Sequence, residues 1–373
     1  MSSPTGFGSA AGGPIDVLIV DDSAVVRQRL KAIVESDTRF RVLLAADPYE
    51  AVETLKRIVP GVILLDVEMP RMDGLTFLRK LMKQHPLPVV LCTSVADRAV
   101  RALEMGALEV IAKPDWRDPE KMAAWGSNLL ESVRNAARAG RLPLKDDRPL
   151  AGDPKQSADA IIPRGAYHAR AGMNAGERII AVGVSTGGVQ TVHKLLSGFA
   201  SDSPGTVIAQ HMPADFLPAF ATRLDQDPKI PLQVHLAKHH DPIKPGNVYV
   251  IPGGVHGAVR RTGNGYRVEI MEGPAVNRHW PSVDVLFRST AQAAGPHAAG
   301  VILTGMGADG AAGLLEMREA GALTIAQDEA TSIVFGMPRE AIKLGAAKFV
   351  YSTERISQAL MTWAQGADTP SWH

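Results

Sequence analysis

The sequence contains little that points to an extracellular or membrane-bound protein. It has one cysteine, Cys92, so no disulfide can form within the chain, and this favours a reducing compartment. No apolar run approaches the roughly 18 residues that a membrane-spanning helix needs. The first 14 residues are small and polar and lack the charged and apolar regions of a signal peptide. We therefore expect a soluble, cytoplasmic protein without membrane insertion.

An excess of one charge is also missing. The chain has 40 Lys and Arg residues against 39 Asp and Glu residues, a net charge of +1. A protein that binds DNA through a basic recognition surface would carry more positive charge, so the balance predicts no nucleic-acid partner. Hydrophobic residues make up 45% of the 373 positions, which is enough for packed cores. At roughly 150 residues per domain, the length predicts two domains and a connector.

Two series of short apolar runs alternate with amphipathic helical patterns along the chain. Nearly continuous apolar strands between helices are typical of parallel sheets that helices cover on both faces. The first series covers residues 15–138. The second covers residues 177–366, and its part between 230 and 271 contains strand patterns without helices. The predicted fold class is therefore α/β, with two doubly wound parallel-sheet domains and an antiparallel excursion in the second.

The remaining segments lack this pattern. Residues 139–176 are rich in proline, glycine and mixed charge and show no sustained period, which predicts a flexible linker between the domains. Residues 1–14 are predicted to be a disordered extension, and residues 367–373 a tail.

Acidic side chains follow strand candidates of the first domain. Asp21 and Asp22 come after the first run and Asp66 after the third, while Thr93 and Lys113 end the fourth and fifth. Ligands of parallel α/β sheets bind at the carboxyl ends of the strands, so these groups are expected at one edge. Neighbouring carboxylates repel unless a hard cation joins them, which favours Mg²⁺. The lysine and the threonine suit a phosphoryl group, with Asp66 as its acceptor.

A serine in a glycine-rich turn is the candidate nucleophile of the second domain. Ser185 lies in Gly-Val-Ser-Thr-Gly between a strand and a helix, the spacing of a nucleophile elbow. His211 follows the next strand-like run, so it would meet the serine at the same sheet edge as a base. A carboxylate has to orient that imidazole, and both Asp309 and Asp328 follow strands. Glycines around Asp309 could supply an oxyanion hole, which favours Asp309.

Other histidines fit the role of base less well. His193 lies inside the helix pattern after the elbow, and His239 and His240 lie in a polar loop without a third ligand at zinc spacing. His256 and His279 lie in predicted loops and could contact substrate.

A binding module is the rival hypothesis. In it, the glycine-rich loops at 183–188 and 305–310 would hold a nucleotide instead of an ester. Neither loop contains a lysine or other cation, which argues against phosphate binding there.

The motifs of both domains resemble known families. The stretch DVEMPRMDGLTFLRK at 66–80, with DDS at 21–23 and KP at 113–114, closely resembles the receiver domain of two-component response regulators. The second domain resembles the catalytic domain of the chemotaxis protein-glutamate methylesterases. The motifs that carry this second resemblance are GVSTGGVQ, AQHMPADFLPAFATRLD, VNRHWPSVDVLFRS, LTGMGADGAAGL and QDEATSIVFGMPREA. Together the two resemblances cover nearly the whole chain.

The first resemblance implies a flavodoxin-like receiver. It assigns Asp66 as phospho-acceptor, Asp21, Asp22, Asp66 and the backbone of Glu68 as Mg²⁺ ligands, Thr93 as the switch hydroxyl and Lys113 as the phosphate partner. Val110 departs from the family, which usually has an aromatic residue there that rotates on activation.

The second resemblance implies a Rossmann-like methylesterase domain without a cofactor of its own. It assigns Ser185 as nucleophile, His211 as base and Asp309 as its orienting acid. It also implies Thr186 beside the nucleophile and the Met306 backbone N–H as an oxyanion donor. Asn277 and Arg278 are candidates for contacts to substrate.

The implied function is a phosphorylation-activated protein-glutamate methylesterase. Its substrates would be glutamate γ-methyl esters on methyl-accepting chemotaxis receptors, and receptor glutamines for deamidation. A histidine kinase of the chemotaxis system would be the phosphodonor. The unphosphorylated receiver would cover the catalytic edge, and phosphorylation at Asp66 would loosen that packing.

Overall fold

The computed structural model describes residues 13–69, 72–114, 116, 118–140, 156–165, 178–263 and 265–366. The chain divides into two compact units, Met1–Ala151 and Gly152–His373, so the division falls inside the segment predicted to be the linker. The predicted tail and residues 1–12 of the predicted extension lie outside the described residues. Within the described part of the chain, no helix is long and apolar enough to cross a membrane.

The first unit is a five-stranded parallel sheet with helices between its strands. Its strands are β1 (Ile15–Val20), β2 (Phe40–Ala45), β3 (Val62–Leu65), β4 (Val89–Thr93) and β5 (Glu109–Ala112). Its helices are α1 (Ala24–Glu35), α2 (Pro48–Leu55), α3 (Gly74–Gln84), α4 (Ala96–Glu104) and α5 (Pro119–Ala139). The strand order is β2-β1-β3-β4-β5, so the winding reverses between β1 and β3. This reversal opens a crevice at the carboxyl ends of those two strands.

Local sequence explains these elements. The three central strands are buried at every position and apolar except for Asp16 and Thr93, as expected for strands covered on both faces. The edge strand β2 contains the exposed Arg41, which pairs with Asp16. Helix α2 begins with Pro48 at its first position, and its N-cap Asp47 accepts hydrogen bonds from two backbone N–H groups of the first turn.

The second unit is built on a seven-stranded parallel sheet in the order β15-β14-β13-β6-β7-β10-β8. A three-stranded antiparallel sheet, β11-β12-β9, accompanies it. The strands are β6 (Ile179–Val184), β7 (Gly205–Gln210), β8 (Gln233–Leu236), β9 (Pro242–Ile243), β10 (Asn247–Val250), β11 (His256–Thr262), β12 (Gly265–Met271), β13 (Ala298–Ile302), β14 (Leu323–Gln327) and β15 (Phe349–Tyr351). The helices are α6 (Gly188–Leu196), α7 (Leu217–Asp225), α8 (Val283–Ala294), α9 (Ala311–Glu319), α10 (Met337–Lys343) and α11 (Thr353–Ala364).

Helix α8 lies at the centre of the second unit. It packs against β6, β11 and α9, and nearly all of its side chains are buried. Its Val283, Leu286 and Phe287 belong to the main core cluster. The winding of the large sheet reverses between β6 and β13, so the carboxyl ends of these strands form the second crevice.

The predicted fold class is confirmed, including the antiparallel excursion. Between 230 and 271, however, β8 and β10 join the parallel sheet and only β9, β11 and β12 are antiparallel. His256, expected in a loop, is the first residue of β11 and is fully buried. Strand β11 contains three charged or polar residues at its carboxyl end, so its hydrophobic pattern is weak.

Residues 156–165 differ from the flexible linker predicted for 139–176. They contain a 3₁₀ turn at Ala158–Ala160 and pack against the rest of the second unit. Ala158 and Ile162 form an apolar cluster with Ala258, Val276 and Val285. A stretch this short shows no periodicity in the sequence, because its apolar residues meet partners more than 90 positions away. Residues 141–155 and 166–177 lie outside the described residues.

A substitution at Gly183 can test the packing beneath the second crevice. A Cβ on Gly183 would lie 2.1 Å from Val283 Cγ1 and 3.1 Å from Val283 Cβ, so rotation of the valine cannot relieve the clash. Gly183→Ala is expected to lower the free energy of unfolding by about 1–3 kcal/mol, measured by urea denaturation. Gly263→Ala is the control, since nothing lies within 4 Å of its Cβ position. Equal stability of the two variants would contradict this packing.

Candidate functional site

Three carboxylates meet at the crevice of the first unit. Asp21 and Asp22 follow β1 and Asp66 follows the neighbouring β3, and their ligand oxygens lie within 4.8 Å of one another. Asp21 and Asp66 are buried, whereas Asp22 is exposed. The parallel pairing of β1 with β3 continues to Asp66, whose backbone N–H donates to Val20 O at 2.9 Å. Adjacent strands therefore bring these predicted ligands together.

The predicted lysine and threonine lie at the same edge. Lys113 Nζ is 2.7 Å from Asp66 Oδ2 and 3.3 Å from Asp21 Oδ2. Thr93 is buried, and its Oγ1 accepts a hydrogen bond from the Val95 backbone N–H at 3.2 Å. The backbone N–H of Glu68 donates to Asp66 Oδ1 at 3.0 Å.

Electrostatics at this edge suit a hard cation. Burial raises the pKa of Asp21, and the charge of Asp66 adds to the rise, while Lys113 opposes it. Burial alone would lower the pKa of Lys113, but its hydrogen bond to Asp66 and the charges of both aspartates raise it. Asp21 Oδ2 is buried and has no hydrogen bond of good geometry from the described residues. One lysine thus faces three carboxylates, an oxygen donor set that fits Mg²⁺.

Ser185 lies in a tight turn between β6 and α6. Its backbone N–H donates to Thr304 O at 3.0 Å, and Gly188 N–H donates back to Ser185 O at 2.9 Å. Gly187 has a φ of 78°, a left-handed conformation that glycine adopts without strain. A Cβ on Gly188 would lie 2.2 Å from Gln210 Oε1, so only glycine fits this close approach. The turn therefore has the strand, sharp bend and helix of a nucleophile elbow.

His211 lies beside this turn and is held by Asp309. The β6–β7 pairing continues past the strand, because His211 N–H donates to Val184 O at 2.9 Å. His211 Nε2 is 2.8 Å from Asp309 Oδ2, and the two side chains are 6% and 1% exposed. Since a carboxylate only accepts, Nε2 carries the hydrogen. Nδ1 is buried and has no hydrogen-bond partner among the described residues, so it is the nitrogen left to take a proton.

The Asp309 carboxylate accepts hydrogen bonds from several chain segments. Its donors, besides His211, are Ser282 Oγ and Asn277 Nδ2, both at 2.8 Å, Val283 N at 2.7 Å and Asp284 N at 3.2 Å. The last two N–H groups belong to the first turn of α8, whose positive end favours an anion. Burial alone would raise the pKa of Asp309. The hydrogen bond and positive charge of His211 outweigh burial and hold that pKa below its usual value.

A second buried carboxyl group, Asp284, lies against Asp309. Burial and the negative charge of Asp309 raise the pKa of Asp284 to about 7. Gly313 N–H and Asn277 Nδ2 donate to its two oxygens, each at 2.7 Å. Asn277 therefore donates to both carboxyl groups, so its side chain points into the protein and not towards a substrate.

The remaining histidines have distinct surroundings. The His279 ring stacks on the His211 ring, with centroids 3.6 Å apart and planes 9° apart. Burial lowers the pKa of His256, whose ring nitrogens bond Pro274 O and Ser282 N. His256 therefore supports the loop before α8 and has no nitrogen left for a substrate. His193 bonds Asp227, away from the elbow.

Other predicted residues lie around the elbow. Asp328 bonds the backbone and hydroxyl of Thr331. Of the two candidate carboxylates, it is Asp309, the one favoured from the sequence, that contacts His211. Thr186 is buried, and its carbonyl accepts from Thr304 Oγ1 at 3.0 Å. Met306 follows Gly305, whose Cβ position would be 2.6 Å from Ser185 Cβ.

Sequence reasoning missed three contributors to the second crevice. Gln210 Nε2 donates to the carbonyls of Ser185 and His211, both at 3.0 Å. Ser282 and Asp284 were not singled out, although a serine and an aspartate at the start of a helix are a recognisable N-terminal signal. Arg278, offered as a substrate contact, is exposed and has a φ of 72°.

Comparisons with known proteins agree over most of the chain. The CheB methylesterase family matches residues 180–360, and the response regulator receiver domain family matches residues 17–124. The chain is 50% identical over 363 residues to protein-glutamate methylesterase/protein-glutamine glutaminase 5 of Anaeromyxobacter dehalogenans, covering 96% of this chain and 99% of that one. It is 48% identical over 355 residues to protein-glutamate methylesterase/protein-glutamine glutaminase 1 of Xanthomonas oryzae pv. oryzae, covering 93% and 100%.

A solved structure is also similar. The CheB methylesterase catalytic domain of Thermotoga maritima is 32% identical and covers 50% of this chain and 98% of that one, with a TM-score of 0.48.

Mg²⁺ affinity tests the acidic edge of the first unit. Asp21→Asn is expected to weaken Mg²⁺ binding by about 10-fold or more, measured by isothermal titration calorimetry, because it removes a buried anionic oxygen ligand. Metal binding requires ionised carboxylates, so wild-type affinity should fall as the pH is lowered. The raised pKa of Asp21 should start that fall at a higher pH than an ordinary aspartate would.

The exposed Glu53 on α2 provides the control. Glu53→Gln should bind Mg²⁺ as the wild type does. Undiminished binding by Asp21→Asn would exclude Asp21 as a ligand.

Proposed function

The chain belongs to the family of protein-glutamate methylesterases/protein-glutamine glutaminases that contain a receiver domain, and from this premise we propose how its residues carry out and control ester hydrolysis. We propose that Ser185, His211 and Asp309 hydrolyse glutamate γ-methyl esters on methyl-accepting chemotaxis receptors. The observation that carries the proposal is the His211 ring. Its Nε2 is held by a buried carboxylate, and its buried Nδ1 has no hydrogen-bond partner among the described residues.

In the proposed first half-reaction, Ser185 Oγ attacks the ester carbonyl and His211 Nδ1 takes the hydroxyl proton. His211 then returns that proton to the departing methoxy group, so methanol leaves and a glutamyl ester of Ser185 remains. In the second half-reaction, His211 takes a proton from water, whose oxygen attacks the acyl carbon. Glutamate is released, and Ser185 regains its proton.

Charge stabilisation accompanies both steps. Asp309 keeps the Nε2 hydrogen of His211 in place and stabilises the imidazolium that forms. The backbone N–H of Met306 is the proposed donor to the tetrahedral oxyanion, because the adjoining Gly305 lies directly against Ser185. Thr186 directly follows the nucleophile in the chain and is a further residue of the proposed site. The same acyl intermediate permits deamidation of a receptor glutamine, since only the leaving group changes from methanol to ammonia.

Control is assigned to the first unit. We propose that a histidine kinase of the chemotaxis system donates a phosphoryl group to Asp66 and that this activates the esterase. Mg²⁺, held by Asp21, Asp22, Asp66 and the Glu68 backbone, would supply positive charge against the phosphoryl oxygens. Lys113 would pair with a phosphoryl oxygen. The Thr93 hydroxyl would donate its hydrogen to another.

Two further parts of the proposal follow from the family. We place the protein in the cytoplasm. Val110 is buried in β5, so no rotating aromatic residue takes part at that position.

Ser185→Ala tests the nucleophile. Methanol release from a methylated chemoreceptor is expected to fall by about 10⁴-fold or more, because the covalent route is lost. Ser201→Ala is the matched control, since Ser201 is exposed in the loop before β7. A serine-directed phosphonate should label the wild type at Ser185 and leave the variant unlabelled. Release by Ser185→Ala at the wild-type rate would refute the proposed chemistry.

Asp66→Asn tests control by phosphorylation. A small phosphodonor with Mg²⁺ should raise the rate of methanol release by the wild type, and Asp66→Asn should abolish that rise, because the amide cannot accept the phosphoryl group. The measurement is the ratio of rates with and without phosphodonor, which cancels differences in basal activity. Asp97→Asn, on the exposed surface of α4, should keep the wild-type ratio. If the wild-type rate of methanol release is the same with and without phosphodonor, control by phosphorylation is refuted.

A further inference from the structure

Asn277 has an unusual position beside the two buried carboxyl groups of the second crevice. It lies in the loop 272–282, which connects β12 to α8. Its Nδ2 donates to Asp309 Oδ1 at 2.8 Å and to Asp284 Oδ2 at 2.7 Å. An uncharged carboxamide has two hydrogens on one nitrogen, so it can donate to both carboxyl groups at once.

We propose that Asn277 is a positioning residue for the ester hydrolysis proposed above, and that residues 156–165 hold it in place. This inference rests on that proposed function. It concerns how Asp309 is kept aligned with His211. Neither the family motifs nor the sequence pattern assigned that role to Asn277 or to residues 156–165.

The need for such a residue follows from the two neighbouring carboxyl groups. Two carboxyl groups in contact tend to share one proton, since both cannot be charged without repulsion. Asn277 donates one hydrogen to each, which stabilises the charged form of both carboxyl groups and so opposes the sharing of a proton. Asp309 then stays an acceptor, and its Oδ2 remains available for His211 Nε2. Without Asn277, Asp309 and Asp284 would compete for a proton, and Asp309 would hold the imidazole less firmly.

The backbone of Asn277 requires support. Its φ is 52°, in the left-handed region where asparagine is more common than most residues but still less favourable than in extended backbone. Its N–H donates to Gln156 O at 2.9 Å, and Gln156 forms a bridge with Val276. A residue from ahead of the catalytic domain thus pairs directly with the loop that positions the triad carboxylate.

Residues 156–165 are themselves anchored on α8. Arg288 of that helix is 2% exposed, and its Nη1 donates to Asp159 Oδ1 at 2.7 Å and to Ile162 O at 2.9 Å. The guanidinium also bonds both oxygens of Glu316, so its position is determined from two sides. The first turn of α8 supplies two of the N–H donors to Asp309. The segment and the triad carboxylate are therefore attached to one helix.

The first experiment removes the amide while the backbone conformation is kept. Asn277→Gly tolerates the positive φ and has no donor, and Asn277→Asp has nearly the same shape but no hydrogens when ionised. Each is expected to lower kcat for methanol release by about 10²-fold with little change in KM, because a misplaced general base loses rate and not affinity. His240→Gly is the control, since His240 has a φ of 71° outside the site.

The pH profile separates positioning from general damage. Loss of the donor from Asn277 lets Asp309 share a proton with Asp284, so Asp309 carries less negative charge and stabilises the protonated imidazole less. The acid limb of kcat/KM should therefore move to lower pH in Asn277→Gly than in the wild type. A loss of rate with an unchanged limb, or an equal loss in His240→Gly, would overturn the assignment of Asn277.

The second experiment tests residues 156–165. Asp159→Ala removes a partner of Arg288 and is expected to lower kcat severalfold, whereas Asp202→Ala, at an exposed aspartate, should leave it unchanged. In the Asn277→Gly background, Asp159→Ala should add little further loss, because both act through Asn277. Fully additive losses would overturn the role of the segment. A wild type that releases no methanol would instead refute the proposed function itself.

Discussion

The buried carboxylate of Asp309 is the constraint around which the second unit is organised. An isolated charge is costly to bury unless hydrogen bonds replace the lost water. Asp309 receives donors from His211, from the loop 272–282 and from the first turn of α8. Satisfying one anion therefore determines where three separate chain segments lie. The orientation of the imidazole is a consequence of that arrangement, because His211 is one donor in the set.

The two crevices use the same topology with opposite electrostatics. Each lies at the carboxyl ends of parallel strands where the winding of the sheet reverses. In the first unit, one lysine faces three carboxylates, and the pKa of buried Asp21 is raised. In the second, hydrogen-bond donors surround one carboxylate, and the pKa of Asp309 is lowered. The carboxylates of the first crevice outnumber its positive charge, which favours binding of a cation. The donors of the second crevice keep Asp309 ionised, as the proposed catalysis requires.

Rigidity in the second crevice comes from close packing of its polar and apolar parts. Gly183 allows Val283 against β6, and Val283 N–H donates to Asp309. Gln210 joins the carbonyls of Ser185 and His211, so the turns after β6 and β7 cannot move independently. Movement of any one of Ser185, His211 and Asp309 would therefore displace the other two as well.

The sequence by itself determined the fold class and the order of the βα units, because buried parallel strands need uninterrupted apolar runs and glycine turns leave a readable spacing. It also singled out Ser185, His211 and Asp66, since each directly follows such a run. The sequence favoured Asp309 over Asp328, but only the tertiary structure placed Asp309 against His211, turned Asn277 inward and docked residues 156–165 on α8. Those three contacts join positions 32 to 129 residues apart. No local pattern records them, because burial and hydrogen-bond satisfaction are properties of the packed chain.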